Sequence, residues 1–162
     1  MEFEIDVSGE DIFNKDYTIC VANRDKIIKG FKFSESLISP LLSRYNQGMY
    51  KYSNSKKGKS DMKIRVYCVV IYHLFKSLNL SGEISLNICR DFTGREDDIR
   101  KSLTYFLEKE LGLKLNGRIY FCTLTKESNA HHYSFLMRFD NKNQMKTYLK
   151  ISLEDIEKFL KK

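Results

Sequence analysis

Phe3, Ile5 and Val7 alternate with Glu4 and Asp6 near the start of the chain, the two-residue period of a strand with one buried face. Ser8-Gly9-Glu10-Asp11 then reads as a turn. Residues 17–22, Y-T-I-C-V-A, are rich in strand-forming types, and Asn23-Arg24-Asp25 supplies turn chemistry before residues 26–33, where Ile27 and Ile28 precede Phe31 and Phe33. The opening third therefore predicts a three-stranded antiparallel meander. Past Phe33 the period lengthens. Ser34 is placed to cap a helix in which Leu37, Ile38, Leu41 and Leu42 recur at helical spacing, and Pro40 predicts that this helix is short, irregular or late in starting. After a polar break over residues 53–60, Ile64, Tyr67, Cys68, Ile71, Leu74, Phe75 and Leu78 form a stripe at i, i+3, i+4 and i+7. The centre of this stretch, V-Y-C-V-V-I-Y, is β-branched enough for a buried strand. Its length without Gly or Pro, from Ser60 or Asp61 to Leu78, decides for a helix.

Ser81-Gly82 is the predicted stop, after which Ile84, Leu86 and Ile88 alternate with Ser85, Asn87 and Cys89, and Asp91 continues the second face. Thr93 and Glu96 have the spacing of a capping box, ahead of a helix with Ile99, Leu103, Phe106, Leu107 and Leu111 on one side and Gly112 at its end. Residues 118–124 form a further strand, reached by a helical crossover and so expected to run parallel to the strand before it. Residues 128–138 predict a short helix with Ala130, Phe135 and Leu136 inward, the alternative being a strand hairpinned through residues 140–143. Residues 146–151 read as extended, and Ser152 caps a last amphipathic helix that ends in lysines, as its dipole prefers. These elements give an α/β fold, a mixed five-stranded sheet with helices packed on it. If the fourth strand lies beside the first, the order is 3-2-1-4-5.

At 162 residues, with one proline and no evident linker, the expectation is one domain over residues 1–162. A hydrophobic content of 42% with 30% charged residues excludes the disordered and fibrous classes. The longest apolar run, residues 66–72, is far short of a membrane span and the N-terminus is acidic, so a soluble cytoplasmic protein with no membrane partner is expected. Cys20, Cys68, Cys89 and Cys122 form no C-x-x-C pair and read as reduced, buried thiols, without a zinc site or disulfide. A net charge of +7 suits a polyanionic partner. Lys51, Lys56, Lys57, Lys59 and Lys63 crowd one polar stretch with only Asp61 to offset them, which makes them either a nucleic-acid contact or a solvated loop. Tyr45, Tyr50 and Tyr52 among them suit stacking on the bases of a single strand, or packing at a domain edge.

In the order 3-2-1-4-5, Asp6 and Asp91 become neighbours near the carboxyl ends of two central strands, where open α/β sheets bind ligands. Two carboxylates there repel unless a proton or a cation intervenes. Oxygen ligands select Mg²⁺ or Mn²⁺, and two such ions about 4 Å apart activate water and brace the leaving oxygen of a phosphodiester. His131 and His132 are candidates for a proton shuttle or a late metal ligand; adjacent helical residues point about 100° apart, so at most one of them faces the site, and His131 is the candidate kept, the alternative being a histidine in a polar surface segment with no such role. Glu10 is a further acidic candidate, although like Glu96 and Asp97 it falls in a loop or cap.

The element order over roughly residues 1–125, with Asp6 in F-E-I-D-V-S-G-E and Asp91 in N-I-C-R-D, resembles the ribonuclease H-like superfamily. That resemblance implies a two-metal nuclease acting on RNA or DNA, with Asp6 and Asp91 as metal ligands and further acidic or histidine ligands supplied from helices or from near the C-terminus. The chain departs from the pattern there, since Glu35 is the one glutamate near the first helix and stands at its very start. The alternative is a non-catalytic ribonuclease H-like domain that binds nucleic acid or a protein, as a dimer in one version.

Overall fold

The computed structural model describes residues 1–162. Strands β1 (Glu2–Ser8), β2 (Thr18–Ala22) and β3 (Ile28–Lys32) form the antiparallel meander, with Ile5 opposite Val21 and Ile19 opposite Phe31. Strand β4 (Ser85–Cys89) lies parallel beside β1 with Ile88 opposite Ile5, and β5 (Ile119–Cys122) lies parallel beside β4. The sheet order is 3-2-1-4-5, as the sequence predicts.

Helix α1 (Glu35–Asn46) runs through Pro40 over 12 residues, neither short nor late. A proline at the sixth position removes one bond, the one its N–H would have made to Ser36, and burial of Leu37, Ile38, Leu41 and Tyr45 outweighs that loss. Helix α2 (Lys56–Leu78) starts a turn earlier than expected, because Ser55 caps it by accepting from the Gly58 N–H at 3.0 Å. The polar break is therefore shorter than predicted, and Lys56, Lys57 and Lys59 lie on a helix and not in a loop. The helix stops at Asn79, in the left-handed region at φ 52, ahead of the predicted Ser81-Gly82.

Helix α3 (Glu96–Thr104) lacks the predicted capping box: Arg95 occupies the cap position, and its guanidinium holds Asp98 at 2.8 Å and Asp61 at 2.6 Å. The helix widens into a π-helical turn, Tyr105–Glu110, and Gly112 at φ 72 ends the segment as expected. Helix α4 (Asn129–Arg138) forms with Ala130 inward as predicted, but the rest of its buried face differs from the prediction. Ala130, Ser134 and Met137 face inward, while Phe135 and Leu136 face solvent. Close approach explains it: Met137 fills the space over Gly30, and Ala130 packs on Cys20 and Ala22, so small residues and one flexible thioether suit the sheet better than a phenyl ring. Helix α5 (Leu153–Glu157) opens with a reciprocal Ser152–Asp155 capping box and ends before the terminal lysines. Between α4 and α5 the chain runs along the free edge of β3, with Gly30 N–H bonded to Thr147 O and Leu149 N–H to Gly30 O.

One face of the sheet carries Phe3, Ile5, Leu86 and Ile88 into the main core, where the Phe75 ring of α2 meets Phe3 edge-on at 5.3 Å. The other face, carrying Asp6 and Cys20, is covered by α4. Cys20 and Cys68 are buried as expected, but Cys89 and Cys122 are only half-buried; all four are free thiols. No helix is long and apolar enough to cross a membrane.

Candidate functional site

Asp6 lies on the α4 side of β1, opposite Cys20, and is 4% exposed. A carboxylate so placed needs partners, and it has two: the Val7 N–H at 2.8 Å on one oxygen and Nδ1 of His131 at 2.9 Å on the other. Strand β4 runs parallel to β1 in a register that sets Ile5 beside Ile88, so Cys89 and then Asp91, two residues on, emerge at the same end and face as Asp6. One carboxylate oxygen each from Asp6 and Asp91 and the Cys89 sulfur all lie within 4.8 Å of one another.

His131 reaches the cluster from the first turn of α4, whose cap Ser128 accepts from the His131 N–H. Its imidazole remains half exposed. His132 is exposed and turns its ring to Tyr133, so one histidine of the pair meets Asp6. Glu10 is exposed; it lines a hollow of about 220 Å³ together with Gly9, Asp11, Tyr17, Lys63 and Asp91, but its carboxylate stands outside the three clustered ligands.

Desolvation at the wall of this hollow, and then the charge of Asp6, push the Asp91 carboxyl up to about 7. Asp91 keeps solvent along one side, which tempers that rise without reversing it. Burial, with Asp6 and Asp91 beside it, lifts the Cys89 thiol to about 11, so it is protonated at neutral pH. Burial alone would raise Asp11, but the Lys63 ammonium at 2.7 Å and the Phe13 N–H bring it below the usual carboxylate range.

The lysines separate. Lys63 stands at the hollow, paired with Asp11. Lys51 sits over the Tyr52 ring, Lys57 pairs with Asp61 at 3.2 Å, and Lys56 and Lys59 are exposed on the first turn of α2. Tyr45 and Tyr50 do not stack on anything from solvent: they are 4% and 1% exposed, and the Tyr45 hydroxyl donates to Ser53 O. Asp97 pairs with Arg100 on the surface of α3. A larger hollow, about 840 Å³, lies between β3, the start of α1 and residues 141–153, and its Lys32 is already engaged by Asp140 O and the Tyr148 ring. It holds no clustered carboxylates, so the chemistry stays with the Asp6–Cys89–Asp91 cluster, of which Asp91 alone borders the smaller hollow.

Cys89 escaped the sequence reading as a site residue. Its signal was present, since a residue two before Asp91 on an alternating strand shares its face. Asp91 accepts no hydrogen bond and forms no ion pair, and with Asp6 it offers oxygen donors that fit one divalent cation. A second ion beside it lacks a third carboxylate. Compared with protein-family models, curated proteins and solved structures, the chain matches none.

Proposed function

We propose that the protein is a ribonuclease H-like nuclease that hydrolyses RNA or DNA phosphodiesters with Mg²⁺ or Mn²⁺ held between Asp6 and Asp91. The observation that carries this reading is the closeness of the two carboxylates, within 4.8 Å at the carboxyl ends of adjacent parallel strands, where like charges call for a cation. When bound, the ion polarises a phosphoryl oxygen and acidifies a water ligand.

The chain's own residues supply the rest. With Asp6 ionised, His131 Nδ1 carries the proton it shares with that carboxylate, which leaves Nε2 as a base for a water proton and, once charged, an acid for the leaving oxygen. Burial of Asp6 fixes the imidazole's orientation. Lys63 is the one cation lining the hollow beside Asp91, and its ammonium is held by Asp11.

A non-catalytic nucleic-acid-binding domain is the second reading, favoured by the position of Glu10 outside the cluster and the lack of a third carboxylate in it. Cleavage of single-stranded, duplex and hybrid substrates with Mn²⁺ separates the two. The wild type is expected to cut, Asp6→Asn and Asp91→Asn to lose at least about a hundredfold in rate, and His131→Gln to lose one ionisation from the pH–rate profile. Equal rates in all four proteins would assign the cleavage to a contaminant. Absence of Mn²⁺ binding by calorimetry at millimolar metal, with salt-sensitive RNA binding retained, selects the non-catalytic reading.

A further inference from the structure

We infer that the outward face of α4 is a stacking platform for single-stranded nucleic acid leading to the Asp6–Asp91 cluster. This inference rests on the nuclease reading and names the form of its substrate. Phe135 and Phe139 are 56% and 55% exposed and Leu136 is 38% exposed, so three large apolar side chains face water within five residues. An apolar cluster of this kind marks a binding surface more often than a scatter of single residues does. The two phenyl rings touch, with centroids 4.8 Å apart and planes tilted by 51°, and the Arg138 guanidinium lies over the Phe139 ring at 5.0 Å.

The face is continuous with the candidate site. His131, Phe135 and Phe139 stand four residues apart on one stripe, each step about 6 Å along the axis. His131, at the near end of the stripe, is the residue bonded to Asp6. A strand whose scissile phosphate lay at the Asp6–Asp91 cluster would run its neighbouring nucleotides over the two rings. Charge points to the same occupant. Residues 129–138 contain no carboxylate, and Asp140 just beyond is occupied by the Tyr148 hydroxyl at 2.8 Å and the Met145 N–H at 2.9 Å. Arg138 and the overall charge of +7 leave the surroundings attractive to a phosphate backbone. Exposed rings take up unpaired bases, whose faces a duplex keeps stacked on one another.

The test is fluorescence anisotropy on the full chain with labelled oligo(dT) and oligo(U) and a duplex of equal length, in EDTA so that nothing is cut. The wild type is expected to prefer the single strands. Phe135→Ala and Phe139→Ala each weaken that binding about tenfold, and the double variant about a hundredfold, at unchanged circular dichroism and melting temperature. Equal affinity for duplex and single strand, or wild-type affinity in the double variant, overturns the inference. So does a change in sedimentation without a change in oligonucleotide affinity, which would assign the face to a second copy of the chain. If the wild type fails to cleave yet loses binding with the phenylalanines, the nuclease reading falls and the platform stands; if it cleaves and the double variant binds normally, the platform alone falls.

Discussion

Asp91 owes its charge state first to desolvation and then to Asp6. Its carboxyl is raised to about 7 in the folded protein by desolvation and by Asp6, and lies in the ordinary carboxylate range when unfolded. The folded state therefore binds more protons than the unfolded one between those two values, and this group's contribution to stability is lost as pH rises through about 7. Asp91→Asn removes the effect. The variant should match the wild type near pH 4 and melt higher at pH 8, and millimolar Mn²⁺ should raise the wild-type melting temperature at pH 8 while leaving the variant unmoved. A constant gap across that range would mean that folding does not raise the Asp91 carboxyl. Asp6, Asp91 and His131 were legible because strand alternation and helical angle place a side chain without reference to the rest of the chain. For Tyr45 and Tyr50 the sequence leaves stacking and packing both open, and burial decides for packing, since a polar neighbourhood in sequence says nothing of what packs over a ring.

Helix boundaries turned on single hydrogen bonds. Ser55 moved the start of α2 into the lysine-rich stretch, Arg95 displaced the expected cap at Thr93, and Asn79 ended α2 before the glycine. Such choices lie among several polar residues that are equally able by type, and the winner is the one whose backbone the rest of the fold holds in place. Gly58 illustrates the constraint. It sits in the first turn of α2, where a Cβ would run into the carbonyl of Ser53. Gly58→Ala gains about 1 kcal/mol of helix propensity, but displacing that backbone costs about 1–3 kcal/mol, so a lower melting temperature is expected. A higher one would show that the 53–55 segment yields freely. In α4 the period was read correctly and the face was not, because the deciding fact was the close approach of Met137 to a glycine on another strand.

Across the whole chain, one core joins the meander, α2 and the parallel strands, and Phe75 sits at its middle against Phe3. Phe75→Ala should cost about 3–5 kcal/mol, read as a lower urea midpoint at unchanged slope; a change in slope would point instead to an altered denatured state. The sequence by itself determined the five strands, the antiparallel meander and the parallel β4–β5 crossover; that β4 pairs with β1, which brings the two aspartates to one end of the sheet, was a condition that the tertiary structure met. The strands, meander and crossover follow from local periodicity, from the right-handed rule for crossovers and from the need of each apolar face to be covered. Tertiary structure decided that His131 would meet Asp6, that Cys89 would join the cluster, that Glu10 would stay outside it, and that two phenylalanines would face water. Each of these depends on which remote surfaces come within a few ångströms of each other, and a one-dimensional pattern carries no measure of that distance.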